Sequence, residues 1–555
     1  MAKSDDRRVH PYIPKLVEQL EERRIGRRDF LRTSTLLGLS ATTAYGVVGR
    51  LFGEGAIGPA LAQGTPQKGG LLKISMRVPE TRNPHTFSWV YDSNIVRQVN
   101  DYLTRTGVDN ITRPWLVESW EPSDDLSSWK LNLRRDITWA NGEPFVSDHV
   151  IWNLEHMLDP NVGSSFLGLM KGFLAKEVDG KDQIWDANAL EKIDDHSLRL
   201  NGMAPALGVP ENLFHYPALI LWPEEDGEWG PGSVGTSAFT CETLEVGKRA
   251  VLKPREGYWS EGPYLEELHF IDNGDDPAAE TSALIAKQVD GQYEGNITQL
   301  PVLRQVPTLK MYEVVTAQTG VVRMKVDAEP FTDPRVRKAM RMALDNEKLL
   351  QVGHLGVGAP GEHHHVCTIH PEYADVGYME QDIEGAKALL AEAGYEDGLQ
   401  AELTVPNNPA WEQITVQACV EMWREIGANV QINIVPEPQY WEVWTKVPFG
   451  FTRWTHRPLG TMVLALAYKS GGAWNETGYS NAEFDQLLNK AEATLDVDER
   501  RKIMAQLEKI MLEDGPVAVP LWRGLFSFWD PKVKGFSQHP TSYIFAEELW
   551  IDQQA

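Results

Sequence analysis

Apolar residues recur with two different spacings along the chain, and each spacing predicts one kind of element. In the stretch WKLNLR, Trp129, Leu131 and Leu133 alternate with polar residues, which is typical of a half-buried strand. An Asn-Gly turn follows, and Ser147 is expected to cap a helix. The apolar positions of that helix share one face and are Val150, Leu154, Met157 and Leu158. Strand and helix patterns of this kind alternate through the chain, which predicts the α/β class.

The same signals continue in the second half of the chain. Asp333 followed by Pro334 predicts a helix cap and a first helical position. The segment DIEGAKALLAEAG repeats this device and ends on Gly394, a residue type that favours helix ends. In NVQINIV, Val430 and Ile432 occupy alternate positions, as they would in a strand. The elements follow no uniform βαβ period.

Two arginines near the N-terminus begin a pattern that is typical of an export signal. Arg27 and Arg28 precede a small, mildly apolar run that ends near Val48. Glycines interrupt this run before it reaches the ~20 apolar residues of a membrane-spanning helix. We therefore expect residues 1–62 to be a twin-arginine signal peptide, cleaved near Ala62, and the mature protein to be soluble in the periplasm. The twin-arginine export machinery is the partner that this pattern implies.

The charge of the chain narrows the possible partners. It has 79 Asp and Glu against 53 Lys and Arg, with a formal net charge of −26. Such a surface repels nucleic-acid phosphates and anionic lipid headgroups, so neither is expected as a partner. The length of 555 residues predicts two or three domains. Three cysteines leave at least one thiol unpaired, so no disulfide scaffold is expected.

Six stretches of the chain, in this order, resemble a known family. They are WEPSDDLSSWKLNLRRDITWANGEPFVSDHVIWNLEHM, VGTSAF with LKPREGYW, FTDPRVRKAMRMALDNEKLL, DIEGAKALLAEAGY, TGYSNAEFDQLL and PVAVPLW. The resemblance is to the extracytoplasmic solute-binding protein family 5 of ABC importers, which includes dipeptide-, oligopeptide- and nickel-binding proteins. It covers about residues 68–535, almost the whole chain after the signal.

The resemblance implies a bilobal α/β periplasmic-binding-protein fold of type II, in the large cluster with an extra subdomain. Lobe I would hold residues 63–317 and return over 521–555, lobe II would hold 318–520, and two crossing strands would form the hinge. Ligand is enclosed when the lobes close, because only the closed form contacts it from both sides. The resemblance further implies a monomer that delivers a small-molecule ligand to ABC permease subunits in the inner membrane. A role in presenting the ligand to a sensor stays open.

The stretch RWTHRPLG departs from the family pattern at a position that bears on the ligand. Family peptide binders hold the ligand's α-ammonium through an acid in a Trp-Thr-Gly-Asp segment, whereas here Trp454 and Thr455 are followed by His456 and Arg457. An arginine cannot host an ammonium, but its planar fork suits carboxylate or phosphate oxygens. We therefore expect a small polar or anionic organic solute, either peptide-like, opine-like or an organic acid. The alternative is that Arg457 pairs with a neighbouring Asp or Glu and never contacts the ligand.

Aromatic residues are the second group expected at the ligand site. In RNPHTFSWVYDSN, Phe87, Trp89 and Tyr91 occupy alternate positions, so an extended segment would direct all three to one side. The resemblance places this segment at the cleft, and Trp474 is a further candidate wall. Aromatic rings can stack on flat or apolar parts of a ligand. Packing in the core is the alternative, above all for Phe87.

A histidine cluster, EHHHVCTIH, supports two interpretations. If the segment is extended, His363, His365 and Cys367 point to one face and would suit zinc or nickel. A metal or metal-chelate receptor is therefore the alternative function. His363 and His364 could instead form hydrogen bonds with an anionic ligand, and uptake would then depend on pH.

Enzyme motifs carry little weight in this sequence. The glycine pattern GVGAPG at 356–361 matches a dinucleotide-binding fingerprint, but it contains Pro360 and follows a helical pattern, so no cofactor is expected. No nucleophile elbow, zinc-protease motif or Walker loop occurs. We expect a protein that is not an enzyme. A metal-dependent periplasmic hydrolase built on the histidine cluster is the less favoured alternative.

Overall fold

The computed structural model describes residues 10–37, 39, 41–52, 65–472 and 474–554. The α-helices of these residues are Ile13–Glu21 (α1), Arg27–Leu36 (α2), Ala41–Phe52 (α3), Val90–Val96 (α4), Ser147–Leu158 (α5), Ser165–Met170 (α6), Val209–Asn212 (α7), Pro277–Ile285 (α8), Leu300–Leu303 (α9), Pro334–Met342 (α10), Asn346–His354 (α11), Ile383–Glu392 (α12), Ala410–Glu425 (α13), Glu437–Val443 (α14), Gly460–Ala467 (α15), Ala482–Glu492 (α16) and Val497–Asp514 (α17). Short 3-10 helices cover Pro84–Thr86, Pro223–Glu225 and Ala546–Glu548.

The strands are Leu71–Ser75 (β1), Thr104–Thr106 (β2), Thr112–Pro114 (β3), Val117–Pro122 (β4), Ser128–Leu133 (β5), Ala175–Val178 (β6), Lys181–Ile184 (β7), Leu190–Asp194 (β8), Ser197–Asn201 (β9), Phe239–Glu245 (β10), Arg249–Pro254 (β11), Glu267–Ile271 (β12), Gly291–Gln292 (β13), Lys310–Met324 (β14), Gly358–Pro360 (β15), Leu399–Pro406 (β16), Ala428–Val435 (β17), Phe449–Trp454 (β18), Val517–Ala518 (β19), Leu521–Trp529 (β20), Val533–Lys534 (β21) and Trp550–Ile551 (β22).

One long mixed sheet runs through the molecule. Its strand order is β10-β11-β12-β1-β13-β20-β14-β18-β16-β17, with β15 added on β20 and β19 on β14. Strands β1 and β12 are parallel, whereas β14 and β20 are antiparallel and lie side by side in the middle. A smaller sheet, β4-β5-β9-β8, forms from residues that precede β10. The two middle strands therefore join the halves of the long sheet.

Three large apolar cores flank this sheet. Core I is built mainly from residues 72–270 and 529–551, and it contains Trp120, Trp129 and Trp139. Core II is built mainly from residues 283–451 and 518–528. Core III lies mainly among helices α15, α16 and α17. Along β14, Val321 belongs to core III and Val322 to core II, because neighbouring side chains of a strand point to opposite faces.

Several local predictions can be compared with the structure. Trp129, Leu131 and Leu133 are buried at alternate positions of β5, as the pattern predicts. Asp333 caps α10 by accepting a hydrogen bond from the Arg335 N–H, which is also confirmed. The cap predicted at Ser147 is wrong: Ser147 is the first residue of α5, and its hydroxyl donates to the Asp194 carbonyl instead.

Helices α1 to α3 pack on the rest of the protein. Apolar side chains of these helices, such as Leu16 and Phe30, form a cluster with Ile111 and Val497. The guanidinium of Arg28 donates two hydrogen bonds to the Asp109 carbonyl, at 2.9 and 2.6 Å. The twin-arginine signal stays a prediction, and the proposed cleavage site near residue 62 lies outside the described residues. Among the residues that the structure describes, no helix combines the length and apolar character that a membrane crossing requires.

A buried ion pair beside β14 offers a test of this packing. Arg323 Nε lies 2.7 Å from Glu476 Oε2, and both side chains are almost fully buried. Glu476→Ala would leave the Arg323 cation buried without its carboxylate, so we expect a loss of about 3–5 kcal/mol in the free energy of unfolding. The matched control is Glu421→Ala, which breaks an exposed pair with Arg424 and should change stability little. Urea denaturation measures the free energy of unfolding of both variants. Equal losses in the two variants would contradict the buried ion pair between Arg323 and Glu476.

Candidate functional site

A small cavity lies where residues of core I face the chain that follows β18. Its volume is about 30 Å³, and its walls include Glu211, Phe214, His215, Arg457 and Tyr543. We call it the Arg457 cavity. Strand β18 ends at Trp454, which pairs with Thr319 of β14, and the chain then leaves the sheet before α15 begins. This exit places the His456 and Arg457 side chains against core I.

His456 fixes the position of this exit. Its Nδ1 accepts a hydrogen bond from the Ala317 N–H at 3.0 Å, so the ring proton lies on Nε2. Nε2 donates to Asn110 Oδ1 at 2.9 Å, which ties the exit to a loop beside core I. Burial lowers the pKa of His456 well below its ordinary value. The neutral imidazole is therefore a cross-link, and both of its ring nitrogens are hydrogen-bonded.

Arg457 is buried without an acidic partner. Its side chain is 4 % exposed, and Nη1 donates to His215 Nδ1 at 3.3 Å. Nε and Nη2 have no hydrogen-bond partner among the described residues, and no described Asp or Glu forms an ion pair with the guanidinium. Burial lowers the pKa of Arg457. The predicted alternative, pairing with a neighbouring acid, does not occur within the described part of the chain.

Glu211 is the carboxyl group on the cavity wall. Burial is the main cause that raises its pKa to about 7. At neutral pH this group is therefore poised between a neutral acid, which can donate a hydrogen bond, and an anion. Its Oε2 has no partner among the described atoms. The cavity thus presents one fixed cation and one titratable acid to whatever enters it.

A serine contacts His215, one of the residues of the cavity wall. Ser165 Oγ lies 3.2 Å from His215 Nε2. Because His215 Nδ1 accepts from Arg457, the ring proton lies on Nε2 and is donated to the serine. A general base would need the opposite arrangement, with a free lone pair on Nε2. Burial and the Arg457 charge further lower the His215 pKa. The pair orients Arg457 and does not activate a nucleophile.

The three aromatics predicted to share one side do not do so. Phe87 is buried in core I, which was the alternative given for it. Trp89 is half-buried and lies edge-to-face with Trp441, with 4.9 Å between the ring centroids. Tyr91 lies inside α4, which starts at Val90. The prediction assumed an extended segment, and it fails because the backbone turns helical between Trp89 and Tyr91.

The two predicted tryptophans beside the exit have different surroundings. Trp454 is buried, and its Nε1 donates to Glu476 Oε1 at 2.9 Å. Trp474 is half-buried, and its ring lies 5.5 Å from the Arg457 guanidinium. A planar cation over an aromatic face is a favourable arrangement. Trp474 therefore supports Arg457, whereas Trp454 supports the strand end.

The histidine cluster is not assembled for metal binding. The predicted metal ligands would share one face only if the backbone were extended from His363 to Cys367. His363 has φ of +60°, so the backbone is not extended at this residue. His365 Nδ1 contacts the Tyr468 hydroxyl at 2.8 Å, and the Cys367 thiol points to the Thr316 carbonyl. No group of three His, Cys, Asp or Glu in the described residues could hold a metal ion. The set His363, His365 and Cys367 is thus corrected, and neither His363 nor His364 lines the Arg457 cavity.

Comparison with known proteins identifies the family. Residues 112–476 match the model of the bacterial extracellular solute-binding proteins, family 5 Middle. The chain belongs to this family. The dipeptide-binding protein DppE of Bacillus subtilis is 23 % identical over 493 residues, covering 84 % of this chain and 88 % of the relative.

Solved structures of ligand-binding proteins share the fold of the chain. AgaA in complex with agropinic acid, from A. tumefaciens R10, gives a TM-score of 0.75 at 20 % identity, with 87 % of this chain and 99 % of that one covered. The Bacillus subtilis oligopeptide-binding protein AppA, in complex with a nonapeptide, gives 0.72 at 19 %, with 88 % and 100 % covered. The α/β architecture is therefore the two-lobe solute-binding fold, and the family is one of binding proteins.

Sequence reasoning about this family 5 protein missed the wall opposite Arg457. His215, Phe214 and Tyr543 come from two distant parts of the chain, and core I brings them together. Arg97 lies 3.6 Å over the Tyr543 ring and holds it in place. The stretch ENLFHYPAL carries no motif that singles out His215. Among the residues predicted from the sequence, His456 and Arg457 line this cavity.

A buried carboxyl beside the histidine cluster gives a pH-dependent prediction. Glu508 is buried, and burial together with Glu362, Glu372 and Asp375 raises its pKa to about 9. The native state therefore keeps a proton that the unfolded state has lost above pH about 4.5, so stability falls as pH rises towards 9. Glu508→Gln mimics the protonated acid. We expect the melting temperature of Glu508→Gln, relative to that of the unaltered chain, to rise between pH 5 and pH 8.

The exposed Glu425→Gln substitution is the matched control for Glu508→Gln. It should keep a constant difference from the unaltered chain over the same pH range. A constant difference for Glu508→Gln as well would show that Glu508 is ionised in the native state. Thermal unfolding followed by circular dichroism at several pH values measures both variants.

Proposed function

We propose that the protein is the periplasmic substrate-binding component of an ABC importer and that it captures a small anionic organic solute between its lobes. The observation that carries this proposal is the buried Arg457 guanidinium with two unpartnered N–H groups. Leaving buried donors unpaired costs free energy, and an unpaired buried charge costs more. An anion from outside the chain removes both costs.

The geometry of the free groups favours a carboxylate. Nε and Nη2 lie on the same edge of the planar guanidinium and form the fork that takes both oxygens of a carboxylate. The third group, Nη1, is already used by His215. The orientation of the fork is thus fixed before the ligand arrives, which reduces the entropy lost on binding. An organic acid or an opine-like molecule fits this description, as does the carboxyl end of a peptide.

The relatives support the same choice of ligand class. DppE is named for dipeptides, and AgaA was solved with agropinic acid. One fold thus accommodates different ligands. Ligand specificity is therefore determined by the residues of the site and not by the fold. At this site a fixed cation repels the α-ammonium of a peptide. We infer that an acid group of the ligand, and not an amine, is the part that binds here.

Closure of the two lobes completes the site. Contacts across the cleft join Asn110 to His456, His215 to Arg457 and Trp89 to Trp441. Because these partners come from both sides, the site is complete only in the closed form, and a ligand that binds there favours closure. The hinge would be the crossing of β14 and β20, with lobe I at residues 63–317 and 521–555 and lobe II at 318–520.

The remaining parts of the proposal concern delivery. Residues 1–62 would direct the folded chain to the twin-arginine export machinery, and the monomeric mature protein would pass its ligand unchanged to the permease subunits. The proton position on His215 supports binding without chemistry, because it leaves Ser165 without a base.

Arg457→Met tests the function directly. The substitution keeps side-chain length and removes the charge, and the full chain is titrated with organic acids, opines and peptides by calorimetry. We expect acids that bind the unaltered chain to bind about 10- to 100-fold more weakly, because a charge-assisted pair of hydrogen bonds is lost. Arg457→Lys keeps the charge without the fork and should give an intermediate loss.

The melting temperature without ligand separates a binding role from a structural one. If Arg457 serves the ligand, Arg457→Met removes an uncompensated buried charge and does not lower the melting temperature. If Arg457 holds the fold together, the melting temperature falls. The exposed Arg424→Met is the matched control for loss of one positive charge. Unchanged acid binding in Arg457→Met would overturn the proposed function.

A further inference from the structure

A second, much larger cavity opens beside the Arg457 cavity. Its volume is about 480 Å³, against about 30 Å³ for the Arg457 cavity. One wall is formed by residues 168–173 and 204–212 of core I, and the other by α15 and the residues that follow it. We call this cavity the side groove. None of the candidate site residues described above lines the side groove.

The two cavities differ in what they can hold. A buried space needs about 10–15 Å³ for one water molecule, so the Arg457 cavity holds a group of about two or three heavy atoms, such as a carboxylate. Small-molecule sites usually occupy about 300–1,000 Å³, and the side groove falls in that range. An acid larger than its own carboxyl group must therefore place the rest of its structure outside the Arg457 cavity.

Met462 connects the two spaces, because its side chain lines both. The opposite side shows the same continuity: α7 lines the side groove, and the residues directly after it line the Arg457 cavity. The two cavities therefore meet at Met462, a residue of core I, and along α7.

The side groove has both apolar and polar walls. Its lining includes the apolar residues Leu169, Met170, Phe173 and Leu466 and also the polar residues Lys171 and Asn212. Met462, Ala465 and Leu466 follow the i, i+3, i+4 spacing of one face of α15, and Lys469 lies just beyond the end of this helix. Lys469 lies 3.7 Å from Glu492, so this end of the groove is polar but neutralised. The groove suits a mostly apolar chain with a polar group at its far end.

We propose that the side groove holds the body of the ligand, so that the ligand is an organic acid with an extended, mainly apolar chain. Its carboxylate binds Arg457, the chain passes Met462, and the far end lies near Lys469. This inference rests on the proposed function, because it uses Arg457 as the anchor of the acid group. It adds the class of molecule that the anchor serves.

The test uses two acids and two groove-filling variants of the full chain. Acetate has the carboxylate alone, and octanoate adds six methylene groups. Ala465→Trp fills the groove from α15, and Ala204→Trp fills it from the exposed opposite wall. Ala482→Trp, on the exposed face of α16, is the matched control. Dissociation constants are measured by NMR titration below the micelle concentration, and melting temperatures verify that each variant is folded.

The unaltered chain is expected to bind octanoate at least about 10-fold more tightly than acetate, because the chain buries apolar surface in the groove. Both groove-filling variants should remove this advantage and leave acetate binding unchanged, whereas Ala482→Trp should keep it. An octanoate advantage that is absent, or that survives both variants, overturns the side-groove inference while Arg457-dependent acetate binding still supports the proposed function. If Arg457→Met leaves the binding of both acids unchanged, the proposed function itself fails.

Discussion

A buried cation without a carboxylate is the constraint on which the site depends. The chain has 79 acidic residues, and some of the buried arginines pair with them: Arg323 pairs with Glu476, and Arg453 with Glu412. These pairs satisfy charges that would otherwise be expensive to bury. Arg457 is equally buried, yet its only hydrogen-bonded neighbour in the described structure is the neutral His215. The rest of the site is arranged around this unpaired fork.

The fold explains how such a group can be held. Strand β18 is fixed in the middle of the long sheet through β14, and the chain that leaves it is tied by His456 to Ala317 and Asn110. Arg457 is thus positioned by a sheet on one side and by core I on the other. These contacts hold the fork in a fixed orientation, and under the proposed function its missing partner is a ligand that enters between the lobes.

Features of the fold and the site could be predicted from the sequence when the interacting residues lie close together along the chain. Strand β5 and the Asp333 cap follow from neighbouring residues, and both were predicted correctly. The resemblance also led to the two-lobe fold and to Arg457, because one position departs from a family segment. Predictions that assumed an extended backbone failed where the backbone turned, at Tyr91 in α4 and at His363 with its positive φ. His215 and Tyr543 could not be found, since only tertiary packing brings them to the cavity.

The most direct test of this account is a crystal structure of the full chain with a bound acid identified by calorimetry. The account predicts one carboxylate with its two oxygens on Arg457 Nε and Nη2, each at about 2.7–2.9 Å. It also predicts that the Nη1 contact with His215 is kept. An amine or an uncharged group of the ligand at this position, or the Glu211 carboxylate turned onto the fork, would contradict the central claim.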